Sequence, residues 1–393
     1  MKIIEQKVPV SFTYNVHFTE GIFDNGNPLF SDIIQKASPE VARNVLFVID
    51  AGVVDHHPGL PNKIKAYAHA HAGAFKLVPE LQIIPGGEAA KNDPEIIEEL
   101  HEAIHEANLD RHSYVTAIGG GAVLDAVGYA AGTAHRGIRL IRVPTTVLAQ
   151  NDAGIGVKNG VNAFGKKNFL GIFAPPFAVL NDSAFLQTLD QRDWRSGISE
   201  AVKVALLKDA VFFEFLEDQA AVLDGRNEEA MDHLIYRCAE LHMEHIATSG
   251  DPFEMGSSRP LDFGHWSAHK LEQLTNYHLR HGEAVAIGLA LDCIYSTFAG
   301  MLSAAACQRI LHMLKGAGFR LFIPELTHEV DDPENPESIF HGLEEFREHL
   351  GGELTIMLLD EIGKGREVHE VDYGLYRKAI AELQSFEEQG VEA

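Results

Sequence analysis

Cysteine is nearly absent. The chain has three in 393 residues, at 238, 293 and 307, and no Cys-x-x-Cys spacing. That excludes a disulfide scaffold and a thiolate zinc site, and it fits a reducing compartment. No run of about 18 apolar residues occurs, so no membrane-spanning helix is expected. The opening Met1-Lys-Ile-Ile-Glu-Gln lacks a signal-peptide pattern, and a cytoplasmic location is expected. Basic residues are also scarce, 32 against 57 acidic, for a net charge of −25. Such a field repels nucleic acid and anionic membrane. An anionic substrate would need Lys, Arg and backbone N–H groups gathered locally. Apolar residues make up 46% of the chain and charged residues 23%, as in a folded protein with a sizeable core.

The first part alternates short apolar runs with amphipathic stretches. Strands are expected at 45–49, within 76–84, and at 114–118, 138–143 and 178–181. Helices are expected at 61–74, 93–108 and 122–133. Alternation of this kind builds a mainly parallel α/β sheet. Beyond about residue 185 the periodicity is helical, at 198–208, 211–223, 228–247, 266–274, 282–299, 304–317 and 336–349. A lone late strand is expected at 354–359. The fold class expected is an α/β domain, residues 1–183, read as nucleotide-binding from the glycine turn after the strand at 114–118, followed by an all-α domain, residues 184–393. The active site is expected where the two meet.

Four groups of residues carry chemistry. Gly119-Gly120-Gly121 follows a strand and opens a helix, with Asp125 one turn on. Glycines there let backbone N–H groups approach a pyrophosphate at the positive end of the helix dipole. A tight strand–helix turn would use the same residues without a ligand. Next comes Val143-Pro-Thr145-Thr146-Val-Leu148-Ala-Gln-Asn-Asp152, followed by Lys158 and Lys166-Lys167-Asn168. The lysines read as an anion cradle in a chain this acidic. Glu200 and Lys203 share a helix face among apolar neighbours, so the pair points into a cleft. Finally, His265, His269 and His281 fall within seventeen residues, with Glu200 upstream. One Glu plus two His leaves an open position on a divalent ion, as catalytic zinc requires.

The motifs, in this order, resemble the dehydroquinate synthase superfamily, the sugar phosphate cyclases. They are GGExxK at 86–91, GGGxxxD, Arg136-Gly, VPTTxLAQ, DxxxGxK, GKKN, Glu200-Ala-Val-Lys203, GHxxxH and HGEAVAIG. The resemblance implies an NAD- and metal-dependent enzyme. Such an enzyme oxidises one hydroxyl of a seven-carbon sugar phosphate, eliminates phosphate, returns the hydride and closes a carbocycle. It implies Glu200, His265 and His281 as metal ligands, with zinc first. It places Asp50, Glu88, Lys91, Gly119, Gly120, Gly121, Asp125, Thr145, Thr146, Leu148, Thr188 and Leu189 against NAD. Asp152, Lys158, Lys203, Arg259 and His269 become catalytic positions, and Lys167 and Asn168 substrate positions. Arg136 matches an arginine given to the neighbouring subunit, which implies a homodimer.

The departures concern the substrate. His242 stands where dehydroquinate synthases have Lys, and Asp262 where they have Asn. A Lys pair near the C-terminal strand is replaced by Arg347-Glu-His349. Less positive charge is left for a substrate carboxylate. Sedoheptulose 7-phosphate, the substrate of the valiolone synthases, becomes the first candidate. A true 3-dehydroquinate synthase, an NAD- and metal-dependent polyol dehydrogenase and a non-catalytic member are the alternatives.

Overall fold

The computed structural model describes residues 3–249, 253, 261–349 and 352–389. It divides into two compact units. One comprises Met1–Thr145 with Val157–Ala184, the other Thr146–Gly156 with Phe185–Ala393. Among the described residues, no helix is long and apolar enough to cross a membrane.

The first unit is built on a seven-stranded parallel sheet. Its strands are β1 (Asn15–Thr19), β2 (Arg43–Asp50), β3 (Phe75–Leu77), β4 (Gln82–Ile84), β5 (Tyr114–Gly119), β6 (Arg139–Pro144) and β9 (Ala178–Asp182). The order is β1-β9-β6-β5-β2-β3, with β4 continuing beside β2 where β3 stops. Val45–Ile49 of β2 are all at most 1% exposed. Burial on both faces is why this strand reads as a continuous apolar run rather than an alternation. The helices of the unit are α1 (Leu29–Ala37), α2 (Ala51–His56), α3 (Leu60–Ala70), α4 (Ala89–Asn92), α5 (Pro94–Glu106) and α6 (Gly121–Thr133). Asp93 caps α5 through Glu95 N–H, and Ile96, Ile97, Leu100 and Ile104 form its buried stripe. From β2 the chain goes outward to β3 and β4, then returns to β5 on the other side. The order reverses between β2 and β5, and their carboxyl ends carry Asp50 and Gly119. A parallel sheet receives its ligand at such a reversal.

The lysine-bearing segment read as an anion cradle is an antiparallel hairpin of β7 (Lys158–Ala163) and β8 (Lys166–Phe173). Its outer strand is largely exposed, so no apolar alternation marks it in the sequence.

The second unit is helical: α7 (Gln191–Lys208), α8 (Ala210–Asp224), α9 (Glu228–Thr248), α10 (His265–Leu274), α11 (His281–Phe298), α12 (Ala304–Gly316), α13 (His341–His349) and α14 (Tyr373–Gln389). The late strand, β10 (Ile356–Glu361), pairs with β11 (Lys364–Val368) in a hairpin rather than standing alone. The core helix is α11, buried along nearly its whole length. A helix apolar all round belongs in the middle of its unit.

Candidate active site

Three helices of the second unit each bring one metal-type ligand. Glu200 lies in the middle of α7 and is fully buried. His265 opens α10 and His281 opens α11. Close backbone contacts set their spacing. A Cβ on Gly282, beside His281, would lie 2.1 Å from the Ser196 carbonyl oxygen, one turn before Glu200 on α7. Gly264, just before His265, has φ +77° and abuts α11. A Cβ on Gly288 of α11 would meet the Gly264 carbonyl oxygen at 2.0 Å. The glycines of the GH and HGEAVAIG motifs are thus the points where helix backbones touch.

Glu200 Oε1 lies 3.5 Å from His265 Nε2 and 3.3 Å from His281 Nε2. A tetrahedral ion with bonds of about 2.0–2.1 Å separates its ligands by about 3.3–3.4 Å. The donor set therefore fits a divalent ion. The outer hydrogen bonds fit as well. His265 Nδ1 faces the Phe263 carbonyl at 3.1 Å, and His281 Nδ1 faces Glu272 Oε2 at 3.2 Å. Each Nδ1–H then donates outward and leaves Nε2 as the ligand atom. Glu272 escaped the sequence reading. Its signal was its place two turns after His265 and one after His269, on the same face of α10.

Charge in this cluster is strongly coupled. Burial works to raise Glu200, but Lys203 and His265 outweigh it and hold it well below the ordinary carboxylate value. Lys203 Nζ lies 2.5 Å from Glu200 Oε2. Burial would lower its ammonium, yet Glu200 and Asp152 push it above the ordinary lysine value. Lys203 therefore stays charged and donates hydrogen bonds rather than taking protons. Asp152 Oδ1 sits 2.7 Å from His242 Nδ1. Against burial, Lys203 and His242 hold Asp152 low even with Glu200 nearby. Without metal, burial lowers His281 but its bonds to Glu200 and Glu272 win, leaving it at about 10. Asp262 lies beside the metal ligands in sequence and accepts His265 N–H through its carbonyl at 3.0 Å. The ring of His269, on an exposed residue, is 5.5 Å from that of His265 and 5.9 Å from that of His281.

In the first unit, Asp50 ends β2 and accepts Gly52 N–H at 2.8 Å. A Cβ on Gly86 would lie 2.4 Å from its carboxylate, and one on Gly119 would lie 3.1 Å from its Cβ. Gly120 caps α6 without a side chain of its own, and its N–H faces the Asp50 carboxylate. This cradle, at the reversal of the sheet, fits a dinucleotide pyrophosphate. Lys91 Nζ pairs with Asp125 Oδ2 at 2.8 Å and also donates to Asn168 Oδ1. Lys167 Nζ lies 3.5 Å from Glu88 Oε1, whose other oxygen accepts from Asn162. Thr145 N–H bonds the Gly119 carbonyl at 3.0 Å.

The β7–β8 register sets Lys158 opposite Phe173 and Ala163 opposite Lys166. Lys158 is therefore about 13 Å of strand away from Lys167, not beside it. Arg136 is exposed, with φ 63°. Thr146, Leu148, Thr188 and Leu189 belong to the second unit. Thr146 Oγ1 accepts Ala149 N–H, Thr188 Oγ1 donates to the Phe185 carbonyl, and the Leu189 carbonyl accepts from Arg226. Arg259 lies outside the described residues.

The family descriptions 3-dehydroquinate synthase N-terminal and C-terminal match residues 81–196 and 197–333. A 2-epi-5-epi-valiolone synthase of Streptomyces glaucescens is 33% identical over 367 residues, 93% of this chain and 89% of that protein. The chain belongs to the dehydroquinate synthase-like sugar phosphate cyclases. A 3-dehydroquinate synthase of Dichelobacter nodosus is 36% identical over 68% of this cyclase and 70% of its own length. A solved 2-epi-5-epi-valiolone synthase from Streptomyces hygroscopicus subsp. jinggangensis 5008, with NAD+ and Zn2+ bound, superposes with a TM-score of 0.85. It is 30% identical, over 97% of this cyclase and 99% of that chain. The cyclase thus has the two-part architecture expected of its family, an α/β unit followed by a helical one.

Proposed function

We propose that this enzyme cyclises a seven-carbon ketose phosphate that lacks a carboxylate, with sedoheptulose 7-phosphate the first candidate. It is an NAD- and metal-dependent sugar phosphate cyclase, a carbon–oxygen lyase that eliminates phosphate. NAD, when bound, would supply the hydride acceptor and donor for one substrate carbon, and Glu200, His265 and His281 would hold a divalent ion able to polarise the oxygen on it. Lys203, kept charged by Glu200 and Asp152, hydrogen-bonds substrate oxygen and offsets negative charge developing there. Asp152, held charged beside Lys203 and in contact with His242, offers a hydrogen-bond acceptor to a substrate hydroxyl. The first unit holds NAD through the Asp50, Gly86 and Gly119–Gly121 cradle, and the second supplies metal and substrate contacts. Lys158, with Arg136 of the partner subunit of a homodimer, receives the phosphate, and His269 is a further substrate contact. The Lys167–Asn168 end of the hairpin lies about 13 Å of strand from Lys158. Lys167 is engaged by Glu88 and Asn168 by Lys91, so neither carries the phosphate reading. A cytoplasmic location agrees with the free cysteines.

The observation that carries the substrate choice is the His242–Asp152 contact at 2.7 Å. A substrate carboxylate here would meet an imidazole already occupied by an acid, not a lysine ammonium. The named activity of the Streptomyces glaucescens relative points the same way. The test gives the zinc- and NAD-loaded protein sedoheptulose 7-phosphate or its carboxylated heptulosonate counterpart, and follows released phosphate and NADH. Phosphate release from the first without net NADH is expected. Faster turnover of the carboxylated sugar, giving dehydroquinate, would replace this reading with a 3-dehydroquinate synthase. NADH accumulating in step with product would point to a dehydrogenase.

A further inference from the structure

Asp292 is a fully buried carboxylate in the core of the second unit, eleven residues after His281 on α11. The chemistry above makes no use of it. An isolated buried carboxylate is costly, so its surroundings must compensate it. Three donors converge on it. Gly264 N–H reaches Oδ2 at 3.2 Å, the Trp266 indole N–H reaches Oδ1 at 3.1 Å, and the Tyr376 hydroxyl reaches Oδ1 at 2.8 Å. Two of these belong to the residues immediately before and after His265. The third comes from α14, at the far end of the chain.

We infer that Asp292 is a positioning residue for the metal centre, clamping the backbone on both sides of His265 so that its imidazole meets Glu200 and His281. Gly264 has left-handed backbone and no side chain to fix it, so its N–H needs a firm acceptor at this turn. Oδ2 is that acceptor. On the other side, Trp266 is 1% exposed and bonded through its indole, which prevents α10 from rotating about its own axis. Rotation there would carry His265 Nε2 away from its 3.5 Å separation from Glu200. Tyr376 stacks on Tyr295 at 3.9 Å and meets Trp266 edge-on at 5.1 Å, so docking of α14 holds the carboxylate in place. Burial pushes Asp292 up to about 7 even against these three bonds. A group this costly is poorly explained by packing alone, since an apolar residue would fill the same space.

The inference rests on the Glu200–His265–His281 metal assignment. Zinc binding by the unmutated protein tests that assignment separately, and its absence would overturn both. The readout is zinc affinity of the folded, metal-free protein by chelator competition, with circular dichroism as a check on folding. In Asp292→Asn the amide carbonyl still accepts from Trp266 and Tyr376, but the NH2 group confronts Gly264 N–H donor to donor. Affinity should fall about tenfold or more, as for other lost outer-shell contacts. Met231→Ala, a core truncation in α9, should lower the melting temperature and leave zinc affinity unchanged. If Asp292→Asn does not fold, Tyr376→Phe decides. Losing one hydrogen bond to the clamp should weaken zinc about three- to tenfold. Wild-type affinity in a folded Asp292→Asn or in Tyr376→Phe, or an equal loss in Met231→Ala, would overturn the inference.

Discussion

Gly282→Ala is the smallest change that should disable the metal site. Two opposite effects meet at this position. Alanine is a better helix former than glycine by about 0.8–1.0 kcal/mol, and Gly282 lies in the first turn of α11. On propensity alone the variant would be more stable. The new methyl, however, would sit 2.1 Å from the Ser196 carbonyl oxygen and 2.5 Å from Ser196 Cα. Cβ atoms essentially never approach closer than 3.0 Å. The two backbones must therefore separate by 3.0 minus 2.1, about 0.9 Å, and neither partner is a flexible side-chain tip that could swing aside.

Overpacking of this kind costs about 1–3 kcal/mol, so the clash outweighs the propensity gain. The geometric consequence is larger than the energetic one. His281 is the neighbour of Gly282, and Glu200 is one turn beyond Ser196. A 0.9 Å displacement opens their 3.3 Å separation toward about 4.2 Å, beyond the roughly 3.4 Å edge of a tetrahedral zinc site. Gly282→Ala should remain folded with a lower melting temperature, yet lose zinc affinity by at least about tenfold. Metal content by mass spectrometry and affinity by chelator competition measure this directly. Unchanged zinc affinity would show that the Gly282–Ser196 contact does not set the ligand spacing.

Three other perturbations test separate parts of the site. Glu272→Ala should weaken zinc binding about 10- to 100-fold by freeing the His281 tautomer, with Glu272→Gln between it and the wild type, again by chelator competition. His281 sits at about 10 in the metal-free protein against an ordinary 6.5, because Glu200 and Glu272 override burial. Its contribution to metal-free stability is therefore complete below pH 6.5 and lost as pH rises through 10. Zinc needs the neutral ring. Calorimetry at pH 8 in buffers of different ionisation enthalpy should detect about one proton released from His281 per zinc. Gly86→Ala, whose methyl would sit 2.4 Å from the Asp50 carboxylate, should raise the Kd for NAD in a fluorescence titration while zinc content stays at the wild-type level.

What was legible in the sequence, and what was not, divides along a physical line. Features carried by neighbouring residues were legible. Val45–Ile49, buried on both faces, is a strand in any context, and Gly119–Gly121 after a strand can only be a strand–helix turn. Short or solvated elements were not. The β1 strand is a five-residue edge of the sheet, the outer strand of the β7–β8 hairpin faces solvent, and α14 was not among the expected helices. Ligand chemistry was legible because Glu, His and His have few other reasons to recur in that pattern. Their mutual positions were not, because they depend on contacts between residues far apart in the chain. Ser196 and Gly282 are 86 positions apart, and Gly264 and Asp292 are 28 apart. Nothing local to Gly282 reveals that its missing side chain makes room for a carbonyl on α7. Nothing local to Asp292 reveals that it grips both neighbours of a metal ligand. A glycine or buried acid on a core helix remains chemically silent until the fold supplies its partner. For that reason the residues that would bind the ion were named from the sequence, while those that set their spacing emerged only from the packing of α7, α10 and α11.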